Sequence, residues 1–263
     1  MMPAPAHLAR RTLVYDPGMY RALALLLAFG ACGYPPLANL SDAAPALDSN
    51  DAMTNAAPFC DPSDPHLVAC YEFEGNAKDG SLHHLDAATS DVTFVKGQVG
   101  MAMQFGATSV ASVSDSPVLD IATLTIEAWI QPSEIPSTGR AGILDVDPQY
   151  HYFFYPGSKL GCGTSGGPTV DPVVPTSLAV GRWSHVACTY DGAAMIVYVD
   201  GSEVARQDGT GVPSTSGTTG MSIAADNPSN GNRLIGLIDQ LRLMDRARTA
   251  AEICADAGKS SCP

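Results

Sequence analysis

Asp239 is the residue whose placement in this 263-residue chain most demands a partner. In the run 234–243, a period of two puts Leu237, Asp239, Leu241 and Leu243 on one face. A carboxylate on an apolar face is costly unless it is hydrogen-bonded, paired or bound to a cation. Asp239 therefore reads either as an oxygen ligand for a divalent cation or as an acceptor of backbone or arginine hydrogen bonds. Gly163-Thr164-Ser165-Gly166-Gly167 matches G-x-S-x-G, but that serine acts only on a strand-to-helix elbow. Here residues 161–171 are rich in Gly and Pro with no helix following, and read as a loop. His83-His84 has a pair of metal-binding side chains without further Asp, His or Cys around it in sequence. Glu127 stands alone and reads as a structural or surface carboxylate rather than a general acid. The run 150–155, YHYFFY, puts aromatics on both faces. Alternate rings should fill a core, while an exposed Tyr150, Tyr152 or Tyr155 would offer a flat surface to a sugar.

The elements that must position these residues are strands. Residues 181–206, GRWSHVACTYDGAAMIVYVDGSEVAR, read as three strands. Asp191-Gly192 and Asp200-Gly201 separate them, and Asp-Gly suits a type I′ hairpin turn. Such a meander needs a second layer over its apolar face, so a β-sandwich is expected. Further strands are expected at 67–73, 101–105, 109–113, 124–130, 150–155, 221–225 and 234–243. Thr249-Ala250-Ala251-Glu252 is a capping box that opens a short terminal helix.

A net charge of −13 argues against binding a phosphate backbone and suits an acidic solvated surface. The 25 glycines and 20 prolines suit a turn-rich β protein. Arg10, Arg11 and Arg21 precede the short apolar run 22–31, ALALLLAFGA. That order is a secretory signal, too short to span a bilayer, and it also works from a start at Met19. Gly30-Ala31-Cys32 resembles a bacterial lipobox, with Phe29 where leucine is usual, and implies lipidation of Cys32. The alternative is an ordinary secretory signal cut near Ala31. Residues 32–58, rich in Ala, Pro, Asn and Asp, read as a disordered tether. Of the other six cysteines, proximity and topology pair Cys60 with Cys70, Cys162 with Cys188, and Cys254 with Cys262. An exported chain favours disulfides, and the absence of C-x-x-C weakens a zinc reading.

From 67 to 253 the order of motifs resembles the LamG-like branch of the concanavalin A-like lectin/glucanase superfamily. The matching pieces are YEFEGN at 71–76, GQVGMAMQF at 97–105, SDSPVL at 114–119, LTIEAWIQP at 124–132, the meander at 183–201, and GLIDQLRL at 236–243. The resemblance implies an all-β jelly-roll sandwich of two antiparallel sheets with a short C-terminal helix. It also implies a structural Ca²⁺ between the first loop and the last strand. The donors on offer are Asp239 with Glu74, Asn76 and Asp79, although Gln240 stands where the family commonly has an acid. Retaining glucanases of this fold carry a Glu-x-Asp-x-x-Glu strand, and this chain has no such spacing. His185 matches a family core position.

The expectation is a signal peptide at 1–31, a tether at 32–58 and a LamG-like domain at 59–263. The domain is read as a non-catalytic binding module for a glycan or an extracellular protein, in the bacterial cell envelope as an outer-membrane lipoprotein or secreted. No nucleic acid is expected as a partner, and the membrane contact is by lipid anchor alone. No residue of a ligand site is assigned by the sequence.

Overall fold

Short β-branched and aromatic runs between turn residues form strands here because each buries one face and hydrogen-bonds at its edges. The computed structural model describes residues 58–173, 178–215, 217–227, 229 and 231–263. The chain divides into two units, Met1–Thr54 and Asn55–Pro263, and every described residue belongs to the second. Cys32, the expected signal peptide at 1–31 and the expected tether up to residue 57 lie outside the described residues.

In chain order the strands are β1 (Leu67–Tyr71), β2 (Ala88–Ser90), β3 (Thr93–Lys96), β4 (Met101–Phe105), β5 (Val110–Val113) and β6 (Leu124–Pro132). They continue with β7 (Ala141–Val146), β8 (Tyr150–Tyr155), β9 (Lys159–Thr164), β10 (Thr169–Val173) and β11 (Ser184–Tyr190). The last are β12 (Ala194–Val199), β13 (Ser202–Asp208), β14 (Met221–Ile223) and β15 (Gly236–Met244), followed by helix α1 (Ala250–Asp256). Sheet A runs β13-β12-β11-β6-β15-β4-β3, with β1 also paired to β15. Sheet B runs β10-β9-β8-β7-β14-β5-β2. Every ladder is antiparallel.

The two sheets close over one core that includes Ile126, Ile130, Tyr152, Phe154, Val186, Val197, Ile238 and Leu241. Its buried tyrosines stay hydrogen-bonded, as a phenol in an apolar interior must. Tyr71 donates to the Leu85 carbonyl at 2.6 Å, Tyr150 to Leu119 at 2.9 Å and Tyr190 to Gly211 at 2.7 Å. The disulfides join Cys60 to Cys70, Cys162 to Cys188 and Cys254 to Cys262. The second links sheet B, through β9, to sheet A, through β11.

Three expectations need correction. Residues 161–171 are not a loop but most of the β9–β10 hairpin. Their glycines are there for space: a Cβ at Gly163 would sit 2.7 Å from Thr169 Oγ1 and 2.9 Å from the His151 ring. Asp191-Gly192 is not a type I′ turn. Only Gly192 has positive φ there, and Asp191 Oδ1 instead accepts from the Ala193 and Ala194 N–H groups, each at 2.8 Å. Asp200-Gly201, with φ of 47° and 78°, does fit that turn. In β15 the period of two breaks. A register shift between Asp239 and Arg242, with Gln240 at φ 46°, inserts a bulge. Ile238, Leu241 and Leu243 therefore face the core, and Asp239 does not share a face with Leu241 and Leu243.

Candidate functional site

The outer face of sheet B is built by the strand alternation of β8. Tyr150, Tyr152 and Phe154 fill the core, so His151, Phe153 and Tyr155 must point outward. As expected, alternate rings fill the core: Tyr150 and Tyr152 are fully buried, and of the three tyrosines only Tyr155 reaches the outer face. The outward rings stand against each other. His151 stacks on Phe153 with centroids 4.4 Å apart, and Tyr155 meets Phe153 edge-on at 6.3 Å. Arg140, just before β7, lays its guanidinium 4.2 Å from the Phe153 centroid. Phe153 is thereby 1% exposed, and its ring is a support rather than an open platform.

Arg140 is fixed from its other side by Asp226. Its Nε donates to Oδ2 at 3.0 Å and its Nη2 to Oδ1 at 2.9 Å, a two-pronged pair. Asn232 Nδ2 also donates to Asp226 Oδ2, at 2.8 Å. Residues 224–227 reach this position because β7 has Gly142 beneath them. Any Cβ there would collide with the Ala225 carbonyl. Asp145 lies next to Asp226 and accepts from the Asn227 N–H at 2.7 Å. Burial pushes the Asp145 carboxyl up to about 8, helped by hydrogen bonding to Asp226. Burial, with the Arg140 cation nearby, holds His151 down at about 4 and thus neutral. The side chain of Arg140 remains 41% exposed. The face thus offers a partly exposed guanidinium, a neutral imidazole, a phenol and a carboxamide on a rigid aromatic base. Sequence reading missed Asp145 because β7 is buried throughout and gives no alternation, and missed Arg140, Asp226 and Asn232 because they lie outside the strands and meet only in the fold.

The four nominated cation ligands divide. Asp239, at the β15 bulge, accepts from the Val99 N–H at 2.9 Å through Oδ2, while its Oδ1 is buried without a partner. Glu74 accepts from the Met101 N–H at 3.0 Å, gripping the same 97–101 turn. Gly97 and Gly100 leave the room that these two carboxylates occupy. Burial raises Asp239 to about 6; turn N–H groups oppose the shift and the Glu74 charge adds to it. Asp79 is committed elsewhere. It accepts from the N–H groups of Cys70, Ser81 and Leu85 and from the Ser81 hydroxyl. Asn76 Oδ1 accepts from Lys78 N at 2.9 Å. Glu74, Asn76 and Asp79 line a cavity of about 190 Å³ beside the first disulfide. An orphaned buried oxygen next to a second carboxylate fits a cation held by Asp239 and Glu74; Asp79 and Asn76 do not fit it.

Glu127 is fully buried, and its Oε1 accepts from Arg242 Nε and from Arg248 Nη1. Asp256 on α1 accepts from the same two arginines. Burial raises Glu127 to about 7, with Arg248 opposing. His185 Nε2 lies 4.0 Å from Glu127 Oε2, and burial lowers this imidazole to about 4. This cluster joins strands to a helix; it is not an open acid–base pair. Ser165 sits in the β9–β10 turn, where its hydroxyl accepts from Ser214 N at 3.1 Å. Among the described residues no three His, Cys, Asp or Glu side chains come together as a metal cluster.

Among curated proteins, none matches this sequence. Solved structures do. Domain 4 of AbnA, a GH43 extracellular arabinanase from Geobacillus stearothermophilus, in complex with arabinotriose, is similar at 19% identity and TM-score 0.60, over 74% of this chain and 98% of that one. The binding domain of Paraclostridial Mosquitocidal Protein 1 is similar at 16% identity and TM-score 0.61, over 76% and 52%. Trypanosoma rangeli sialidase in complex with the inhibitor DANA is similar at 18% identity and TM-score 0.57, over 79% of this chain and 34% of that one. At these identities the likeness is one of fold, and one fold hosts many functions. The family model Laminin_G_3 matches residues 105–254, more than half of the chain, which therefore belongs to the concanavalin A-like lectin/glucanases superfamily.

Proposed function

We propose that this protein is a non-catalytic module that binds a glycan outside the cytoplasm, on the outer face of sheet B. The observation that carries this reading is the Arg140–Asp226 pair, with the guanidinium 4.2 Å from the Phe153 ring centroid and Asn232, His151 and Tyr155 around it. A pre-oriented set of donors and acceptors suits vicinal hydroxyls, because little side-chain entropy remains to be lost on binding. The arabinotriose complex of a similar domain supports a sugar ligand. The arrangement of Glu127, spent on two arginines in a closed interior, supports a role without catalysis. Three disulfides and the Arg-apolar-Cys32 order support export, with Cys32 as a lipid anchor in a bacterial envelope.

Asp239 and Glu74 are the residues that would hold a structural Ca²⁺. The ion would neutralise two neighbouring carboxylates and bind the 97–101 turn to the last strand.

A glycan array probed with the purified protein tests the reading. Saturable binding to at least one glycan is expected, weakened at least tenfold by Arg140→Ala. A blank array, with binding instead to an extracellular protein, would replace it with an adhesion or scaffold role.

A further inference from the structure

The charge balance of the sheet B face decides which glycans it can take, an inference that rests on the glycan-binding reading above. Stacking cannot do the selecting. Phe153 is 1% exposed, capped by the His151 ring at 4.4 Å and by the Arg140 guanidinium at 4.2 Å. Tyr155 stands at 83° to Phe153, so no two open rings share a plane. Recognition is left to the polar groups around Arg140, and the charge they carry becomes decisive.

Arg140 is the cation at the centre of this face, and Asp226 neutralises it. Three bonds join them: Nε to Oδ2 at 3.0 Å, Nη2 to Oδ1 at 2.9 Å and Nη2 to Oδ2 at 2.9 Å. Asn232 Nδ2, a neutral donor, holds the same Oδ2 at 2.8 Å. The Asp226 side chain is 10% exposed, against 41% for Arg140. A carboxylate or sulfate that approached Arg140 would meet a fixed negative charge beside it. A hydroxyl donates as well as accepts, and so can use both members of the pair. The neighbours do not restore a positive field. His151 is neutral, because burial lowers it to about 4. Asp145, opposite His151 on β7, accepts the Asn227 N–H at 2.7 Å and brings no positive charge. Lys159 pairs with Tyr155 across β8 and β9, but its stem lies toward Gly157 in the turn that joins these strands. We propose that the ligand of this face is a neutral glycan, bound through its hydroxyl groups, and that Asp226 is the residue that turns anionic sugars away.

The test compares the unaltered protein with Asp226→Asn, which keeps the side chain's shape and an oxygen for Arg140 but removes the charge. Both are probed on one array of neutral oligosaccharides and counterparts that carry uronate, sialic acid or sulfate. The unaltered protein should bind a neutral glycan about tenfold or more better than its anionic counterpart. That signal should hold between about 0.05 M and about 0.5 M salt. Asp226→Asn should raise the anionic signals and shrink the preference about tenfold. Equal binding by the unaltered protein, or a preference for anionic glycans that fades in high salt, would overturn the proposal and leave the glycan reading standing. A preference that folded Asp226→Asn leaves unchanged would also overturn it. If circular dichroism shows that variant unfolded, the preference and salt response of the unaltered protein decide alone. A blank array would instead remove the glycan reading, and this inference with it.

Discussion

Glu127 at the centre of sheet A and Asp256 on the C-terminal helix are held by the same two arginines, Arg242 and Arg248. Among the described residues no other arginine or lysine forms an ion pair with either carboxylate, so removing one arginine strands buried charge. Arg248→Ala is expected to cost about 3–5 kcal/mol, read as a lower midpoint in urea unfolding. A loss below about 1 kcal/mol would mean that the helix is held by its apolar contacts alone.

Glu252 on the same helix sets a pH limit. It accepts from Arg246 and from the Thr249 N–H, and these bonds, the Arg246 one foremost, bring its carboxyl down to about 2. A lowered carboxylate contributes stability that is complete above its unfolded value near 4.5 and is lost as pH falls toward 2. Hydrogen-exchange protection factors of residues 250–256, relative to the free peptide at the same pH, should therefore fall between about pH 5 and pH 2, and Glu252→Gln should flatten that dependence.

Chelation probes the turn at 97–101. If Asp239 and Glu74 hold Ca²⁺, a hundredfold excess over Kd adds about 2.7 kcal/mol of stability. Excess chelator should then lower the melting temperature, and Asp239→Asn should abolish the response. An unchanged melting curve, with no metal by elemental analysis, would leave Asp239 as an acceptor of turn N–H groups.

Gly142→Ala should be among the most damaging single substitutions. The new methyl group meets the Ala225 backbone, which has no flexible end to give way. A loss of about 3 kcal/mol or more is expected, together with loss of glycan binding, because Asp226 rides on that segment.

Replacing Cys162 and Cys188 by alanine removes the covalent link between the sheets. The bridge spans 26 residues, so the expected loss is about 2–4 kcal/mol in thermal or urea unfolding.

The sandwich was legible because the meander strands alternate: Val186, Cys188 and Tyr190 face the core, while Ala187 does not. The capping box at Thr249 was legible because it is a local motif with two side chains three residues apart. The strand β7 was not, since all six of its residues are buried and carry no period. The fate of Asp239 was not legible either. One bulge at Gln240 turns it off the face its spacing implied, and a bulge is fixed by pairing with strands far away in sequence. The residues of the proposed site were invisible for the same reason: Arg140 and Asp226 are 86 positions apart and meet only through the fold.

Arg242 also donates to the Phe59 carbonyl at 3.0 Å, and Ile253 of α1 packs on Ala187 and Tyr198. The first and last described segments are thus fastened to the same outer side of sheet A. The outer face of sheet B, where the proposed site lies, is on the other side of the core from both of these described segments, so a bulky ligand there would meet neither of them.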